Sequence, residues 1–519
     1  MNKHTFLILA SLCIFSATAV FAQNQKNNVS QWPRGITYEI FVQSFADSNG
    51  DGIGDIKGMT SKLDYLKNLG VEAVWLMPIN PSPSYHKYDV TDYYGIHPDY
   101  GTIEDFKEFT REAHKRNIKV VIDLVINHSS SSHPWFQEAV RNENSPYREY
   151  YVWTHKDDPQ TQKDGKPTGA DSDNTTHWHK VKDSDYLYYG YFYGGMPDLN
   201  YDSPKLRQEV FKIGRYWLTE MDVDGFRLDA ARHIFPDERP QDNHQWWVYF
   251  RNEMQKAKKD VYLVGEVWAP ADIVGPYLKG LPALFNFDMG YAITKAVNEE
   301  QAGDLVKNHK KIRDFYASVN PDYIDATFLT NHDQNRIMSA VNGDMKKAKM
   351  AAALLLTLPG SPYLYYGEEI GMNGKKPDEY IREPFLWDMK TKDKSRTTWV
   401  QPNYSTESTV VPLAAQQKDK NSLFNHYKTL VKLRNNSPAL TYGELVPLNV
   451  APKNVSAFLR QHQDQTLLVL HNLSKEEVTL DLPQEATQFN RVHFKTKGGK
   501  VNKGTVTIPG SSSLILEKN

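Results

Sequence analysis

From about residue 34 the chain alternates between two hydrophobic patterns. Continuous apolar runs, "ITYEIFVQSF" (36–45), "VEAVWLMPI" (71–79) and "IKVVIDLVINH" (118–128), read as strands buried on both faces. Between them, apolar residues recur three and four positions apart in "MTSKLDYLKNLG" (59–70), which ends on a stop glycine, and in "IEDFKEFTREAHKRN" (103–117). These stretches read as amphipathic helices. The rhythm resumes with a helix at "SPKLRQEVFKIGRYWLTE" (203–220), a strand at "GFRLDA" (225–230), a helix near 243–259 and a strand at "VYLVGEVW" (261–268). Strand candidates "ALFNFDM" (283–289), "ATFLTNHD" (326–333) and "SPYLYYGEE" (361–369) follow, with helices at about 344–357 and 422–436. Apolar strands separated by helices predict a parallel sheet, and eight candidates is the number that closes a (β/α)8 TIM barrel.

Two segments break the pattern. Residues 129–202 are rich in Tyr, His, Asp, Gly and Ser and lack a helix-length period. An insertion after the third strand falls on the C-terminal face of a barrel, where such folds keep their sites. From 441 the runs "VSAFLRQH", "QTLLVLHNL", "EEVTLDLP", "VHFKTK" and "GTVTIPG" are short strands between turn residues, predicting an all-β sandwich. The expected organisation is therefore a signal peptide at 1–22, a barrel at 30–128 and 203–440, an inserted domain at 129–202 and a C-terminal β-sandwich at 441–519.

The signal-peptide reading rests on Lys3 and His4, the apolar run from Phe6 to Val20, and a small-residue cleavage site at Val20-Phe21-Ala22. It predicts export to a periplasm or to the medium, and removal of Cys13, the only cysteine. No later run is long enough for a membrane span. A net charge of −2 carries no electrostatic footprint for nucleic acid or an anionic membrane. The 30 Tyr and 11 Trp fill cores in any large protein, but their rings also suit stacking on sugar faces.

Polar residues gather where the strands are expected to end: Asp123, Asn127 and His128, then Arg227 and Asp229, then Glu266, then His332 and Asp333. One carboxylate at a strand end as often caps the next helix. Carboxylates on three strands of one barrel, flanked by Arg and His, converge on one pocket. The chemistry that needs them, without phosphate or redox equipment, is glycoside hydrolysis: one carboxylate attacks, a second protonates the leaving oxygen, and water completes a double displacement. No P-loop, Rossmann fingerprint or HExxH motif is present. Arg227 and Asp229, two apart on a strand, face the same way, so the guanidinium can hold the nucleophile as an anion. Glu266 has to arrive protonated, and Trp268 on its strand face is placed either to desolvate it or simply to pack in the core.

The segments "DLVINH" (123–128), "MPDLN" (196–200), "GFRLDAARH" (225–233), "GEVW" (265–268), "FLTNHD" (328–333) and "GSPYLYYGEEIGM" (360–372) occur in one order along the chain. In this the chain resembles the α-amylase family of glycoside hydrolases (family 13), from about residue 34 to the end. The resemblance implies Asp229 as nucleophile, Glu266 as general acid/base and Asp333 as transition-state stabiliser. It implies Tyr88, His128, Arg227, His332, Asp378 and Arg382 as contacts to the sugar whose bond is cleaved. The expected substrates are starch, glycogen and maltooligosaccharides, cut internally at α-1,4 bonds by a monomeric enzyme. Tyr85, followed by His86, stands where exo-acting relatives carry a blocking Asp, and Ala230 stands where α-1,6-glucosidases carry Val. "MPDLN" also occurs among neopullulanases and cyclomaltodextrinases, so those activities and α-glucosidase remain alternatives at this point. A silent glycan-binding barrel is the remote alternative, since all three carboxylates are present.

"DSNGDGIGD" (47–55) sets Asp47, Asn49 and Asp51 at alternating positions, with Asp55 and the carbonyl of Ile53 beyond a sharp glycine turn. Oxygen donors so spaced suit Ca2+, although this is no EF-hand, because Gly58 stands where the bidentate Glu belongs. The family resemblance implies a second calcium on Asn127, Asp198 and the carbonyl of His233.

Overall fold

The computed structural model describes residues 32–159 and 177–518. The signal-peptide reading and part of the insertion lie outside these residues. Eight strands form the closed barrel: β1 (Thr37–Ile40), β2 (Ala73–Leu76), β3 (Lys119–Leu124), β4 (Gly225–Leu228), β5 (Tyr262–Gly265), β6 (Ala283–Asn286), β7 (Ile324–Phe328) and β8 (Ser361–Tyr365). Each pairs in parallel with its neighbours in sequence, and β8 closes on β1 with Tyr363 opposite Thr37. The interior is a packed layer of Trp75, Val121, Tyr262, Val264, Phe285, Phe328 and Tyr363, not a pore. The alternate residues, such as Tyr38, Ile40, Val74 and Leu76, pack outward under the helices.

The helix starts follow their local chemistry. Thr102 and Asp105 form a reciprocal capping box ahead of the helix Ile103–Lys115. Ser203 caps the helix Pro204–Thr219, whose first residue is the proline that such a position accepts. The stretch 59–70, read as one helix, belongs to two, Ile56–Thr60 and Leu63–Leu69, and Gly70 at φ 96° closes the second. The sixth strand is shorter than its apolar run, because Asn286 Oδ1 accepts the Met289 amide at 2.9 Å and starts a helix at Phe287. Likewise 326–333 is strand only to Phe328, and His332 and Asp333 sit in the loop beyond.

The insertion holds a helix that the hydrophobic pattern did not predict, Pro134–Arg141. It is capped by His133 Nδ1 on the Trp135 amide, with Pro134 at its first position and Phe136 and Ala139 buried. It also holds an antiparallel sheet in the order Trp153–His155, Tyr186–Tyr189, Trp178–Lys180. The segment returns to the barrel where Leu199 donates its amide to the Asn127 carbonyl at 2.9 Å and Asp198 pairs with His128.

The C-terminal domain packs a five-stranded antiparallel sheet against a three-stranded one around Leu468, Leu470, Val506, Ile508, Leu514 and Leu516. A buried guanidinium joins it to the barrel: Arg460 donates to the Thr357 carbonyl (2.5 Å) and, within its own domain, to that of Gly443 (3.1 Å). Inside the barrel Arg434 donates to the carbonyls of Leu356 and Leu358 (3.0 and 2.9 Å). These acceptors include carbonyls left free where the helix Met345–Thr357 ends. Among the described residues no helix is long and apolar enough to cross a membrane.

Candidate active site

The strand ends deliver their polar residues to one place, and Arg227 at the end of β4 is its hub. It is 1% exposed. Its Nη1 donates to both oxygens of Asp123 (2.9 and 3.1 Å) and to Asp229 Oδ1 (2.5 Å), while Nη2 lies 2.7 Å from Glu266 Oε1. One guanidinium therefore gathers the carboxyl groups of β3, β4 and β5. Lysine, a point charge without a planar fork, does not bind three partners in this way.

A second set faces it. His332 donates from Nδ1 to Glu39 Oε1 (2.5 Å), and its Nε2 lies 2.6 Å from Tyr88 Oη and 3.0 Å from Asp333 Oδ2. The Tyr88 ring stacks on the imidazole, 5.6 Å between centroids and 12° between planes, and its hydroxyl donates to Asp123 Oδ2 (3.0 Å). Arg382 donates through Nη2 to Asp333 Oδ1 and Asp378 Oδ2, both at 3.0 Å. His128 turns Nε2 to the Tyr88 carbonyl (3.1 Å). Asp229, Glu266, Asp333, Tyr88, His128, Asp378 and Arg382 all line a cleft of about 520 Å³. Arg227 and His332 lie behind its wall, reached through their partners.

A family model for the alpha-amylase catalytic domain matches residues 39–443, and one for the Alpha-amylase SusG C-terminal domain matches 455–515. Alpha-amylase 3 of Dictyoglomus thermophilum is 43% identical over 94% of each chain. A 4-alpha-glucanotransferase of Thermotoga neapolitana is 35% identical over 86% of this chain and 97% of its own. The crystal structure of alpha-amylase from H. orenii is similar with a TM-score of 0.86 at 44% identity, over 93% of this chain and 99% of that one. The chain belongs to the alpha-amylase family.

In this amylase-family barrel the surroundings set the carboxyl groups apart. Burial pushes Glu266 up to about 8 despite the pull of Arg227, and the charges of Asp229 and Asp333 push the same way. Burial, with the charge of Asp229 beside it, raises Asp123 to about 7. Asp333 goes the other way: burial would raise it, but His332, Arg382 and Arg227 hold it well below the usual carboxylate range. His332 is its counterpart. Burial alone would lower it, yet Asp333 and Glu39 lift it to about 10. One pocket thus holds an acid that is still protonated at neutral pH and a permanent anion.

The sequence reading did not single out Glu39, although a carboxylate in the middle of the apolar run "ITYEIF" was a signal, since a buried charge demands a partner. It also passed over Phe192, Tyr193, Met196, Arg232 and Lys376, which line the cleft. Trp268 fills both roles weighed for it: it faces the cleft and stacks on Phe287 at 4.6 Å and 10°. Tyr85 stacks on Trp399 (5.3 Å, 20°) and accepts from Arg382 Nη1 at 3.4 Å.

The residues expected to hold calcium occupy two places. In the 47–55 loop Asp47, Asn49 and Asp51 accept the backbone amides of Asn49, Gly50, Gly52, Asp51 and Ile53; Asp47 Oδ1 takes two of them, so the lone pairs left over are on Asp47 Oδ2, Asn49 Oδ1 and Asp51. Asp55 is turned onto Ser48 and onto the Gly58 amide, as the cap of the helix Ile56–Thr60. Among the described residues no three His, Cys, Asp or Glu side chains are arranged to hold a metal, so amide and backbone oxygens have to contribute. At the second place Asn127 Oδ1 is buried without a hydrogen-bond donor, and burial pushes Asp198 up to about 8. An orphaned amide oxygen beside a buried carboxyl fits a hard cation.

Proposed function

We propose that the chain is a retaining α-1,4-glucan hydrolase acting within chains, an α-amylase in activity as well as in family. The observation that carries this reading is the division of roles around Arg227: one guanidinium binds Asp229 as an anion on Nη1 and Glu266, the group lifted to about 8, on Nη2. Asp229 attacks the anomeric carbon, and the Glu266 proton passes to the departing glycosidic oxygen, leaving a glycosyl ester on Asp229. Glu266, now a carboxylate, takes a proton from the incoming water as that ester breaks. Asp333 stabilises the positive charge that develops on the sugar. Tyr88, His128, Asp378 and Arg382 orient the sugar from the cleft wall, and Arg227 and His332 act from behind it.

The same ester can pass to a sugar hydroxyl, and the relative named 4-alpha-glucanotransferase gives that second reading its support. Calcium is part of the proposal. Asn127, Asp198 and the His233 carbonyl would hold one ion, and Asp47, Asn49, Asp51, Asp55 and the Ile53 carbonyl another, clamping loops beside the barrel. Export follows from the N-terminal apolar run, and α-glucans outside the cytoplasm are the partners the proposal names.

Product profiling tests it. Wild type and Asp229→Asn are given soluble starch, pullulan and β-cyclodextrin with calcium. Mixed maltooligosaccharides from starch, little action on the other two and an inactive variant support the reading. Longer chains built from maltooligosaccharides favour transfer. Panose from pullulan or rapid ring opening moves the specificity to neopullulanase, and no release from any substrate overturns hydrolysis.

A further inference from the structure

Glu39 is the third residue of β1, and its neighbours Tyr38 and Ile40 pack outward, so the pleat sends its carboxylate into the barrel. It is 2% exposed, and its ion-pair partner is the imidazole of His332. A carboxylate so placed is costly unless a charged partner repays its lost hydration. His332, itself 1% exposed, stands between acceptors on two sides: the Glu39 carboxylate at Nδ1, and the Tyr88 oxygen and the Asp333 carboxylate at Nε2. A neutral imidazole carries one N–H and leaves one of these sides facing a lone pair. Both sides are satisfied only when both nitrogens carry protons.

We propose that Glu39 is a positioning residue, whose carboxylate fixes His332 as a cation aimed at Asp333 and so holds the stabilising anion in place. The proposal rests on the role assigned above to Asp333. Every charged or titratable group facing His332 enters it: Glu39 from β1, Tyr88 after β2, Asp123 from β3, Glu266 after β5, Asp333 beside it, and Arg382, whose Nε donates to the His332 carbonyl at 3.0 Å. Of these, Glu39 is the carboxylate on the Nδ1 side, so it sets the ring orientation as well as its charge. The upward displacement of His332 to about 10 agrees with this.

Glu39→Gln separates charge from shape, because its amide oxygen still accepts from Nδ1–H. Turnover is measured with a maltooligosaccharyl fluoride, whose leaving group needs little acid help, so that Glu266 no longer governs the alkaline limb. For Glu39→Gln that limb moves down by roughly one pH unit. Its kcat falls about tenfold with KM changed less than about twofold, the pattern of an interaction made in the transition state. Glu39→Asp recovers part of the loss. Nitrogen-15 histidine spectra, with His332→Gln identifying the resonance, show a mostly cationic ring at roughly pH 9.5 in wild type and a mostly neutral one in Glu39→Gln. A wild-type limb and kcat in Glu39→Gln, or an unchanged His332 resonance, overturns the proposal. So does a loss confined to melting temperature. If wild type turns over neither the fluoride nor starch, the hydrolase reading fails, and the spectra still decide whether Glu39 sets the charge of His332.

Discussion

Replacing Arg227 by Met tests whether the guanidinium is what lets the anions share the pocket. The substitution keeps the length of the stem and removes the charge. It leaves Asp123, 1% exposed, Asp229, 7% exposed, and Glu266 without the cation they share. Breaking a buried ion pair from one side costs about 3–5 kcal/mol. The sign with pH follows from Asp123 and Glu266, already displaced up to about 7 and 8 against the pull of Arg227, and displaced further without it. A group raised on folding contributes stability that is fully present below its unfolded value, about 4. That stability is lost as pH rises through the folded value. Asp333, which Arg227 also helps to hold low, moves up without it, so the stability it supplies above its unfolded value shrinks and the loss again grows with pH. The variant is therefore expected to be close to wild type in urea midpoint at pH 4.5 and to fall behind by most of the 3–5 kcal/mol at pH 8. Its kcat/KM at neutral pH falls at least about a thousandfold, roughly 4 kcal/mol, because Asp229 and Glu266 lose the guanidinium that holds and orients both. Equal destabilisation at both pH values, or activity within tenfold of wild type, refutes the hub argument.

Three further outcomes are expected. The alkaline limb of kcat/KM on starch lies near pH 8, where Glu266 loses its proton, and Glu266→Gln flattens that limb while removing most activity; a wild-type limb unmoved by the substitution assigns the titration elsewhere. Chelation lowers the melting temperature of wild type more than that of Asp198→Ala, because an ion present at a hundred times its dissociation constant stabilises by about 2.7 kcal/mol; equal responses in calorimetry place the ion elsewhere. Arg460→Met leaves the buried Thr357 and Gly443 carbonyls without that donor, at about 1–3 kcal/mol each, and loosens the C-terminal domain first in limited proteolysis; cleavage that begins in the barrel contradicts this.

The barrel was legible because its strands are apolar on both faces and its helices are amphipathic, two periods that local sequence carries without outside help. The carboxylates that line the cleft were legible for the opposite reason: Asp229 and Glu266 interrupt apolar runs where a strand gives way to a loop. What stayed hidden depends on distant partners. The helix Pro134–Arg141 is only two turns long, too short for a clear period, and is set by one histidine cap and a proline. The strand Ala283–Asn286 ends early because the Asn286 side chain caps the helix that follows. Glu39 lies 293 positions from His332 along the chain, and nothing near it announces that the two meet. Arg460, buried against backbone carbonyls instead of a carboxylate, reads in sequence as an ordinary strand cation.

The charges around the pocket add to a single deficit, and that deficit is what the proposed reaction uses. Six carboxyl groups, Glu39, Asp123, Asp229, Glu266, Asp333 and Asp378, face three buried cations, Arg227, His332 and Arg382. At neutral pH Glu266 keeps its proton and Asp123 is displaced in the same direction, so the anions outnumber the cations by no more than two. Lys376 at the rim, 2.8 Å from Asp378, offsets part of this where water screens it. The remaining negative charge is open to the cleft through Asp229, Asp333 and Asp378. A ground-state sugar is neutral and does little to relieve it. An oxocarbenium-like transition state carries close to one positive charge and does relieve it, and the fixed partners need not reorganise as that charge appears. The preference for the transition state over the substrate therefore rests on how many protons the buried set retains, and Arg227 and the His332–Glu39 pair set that number.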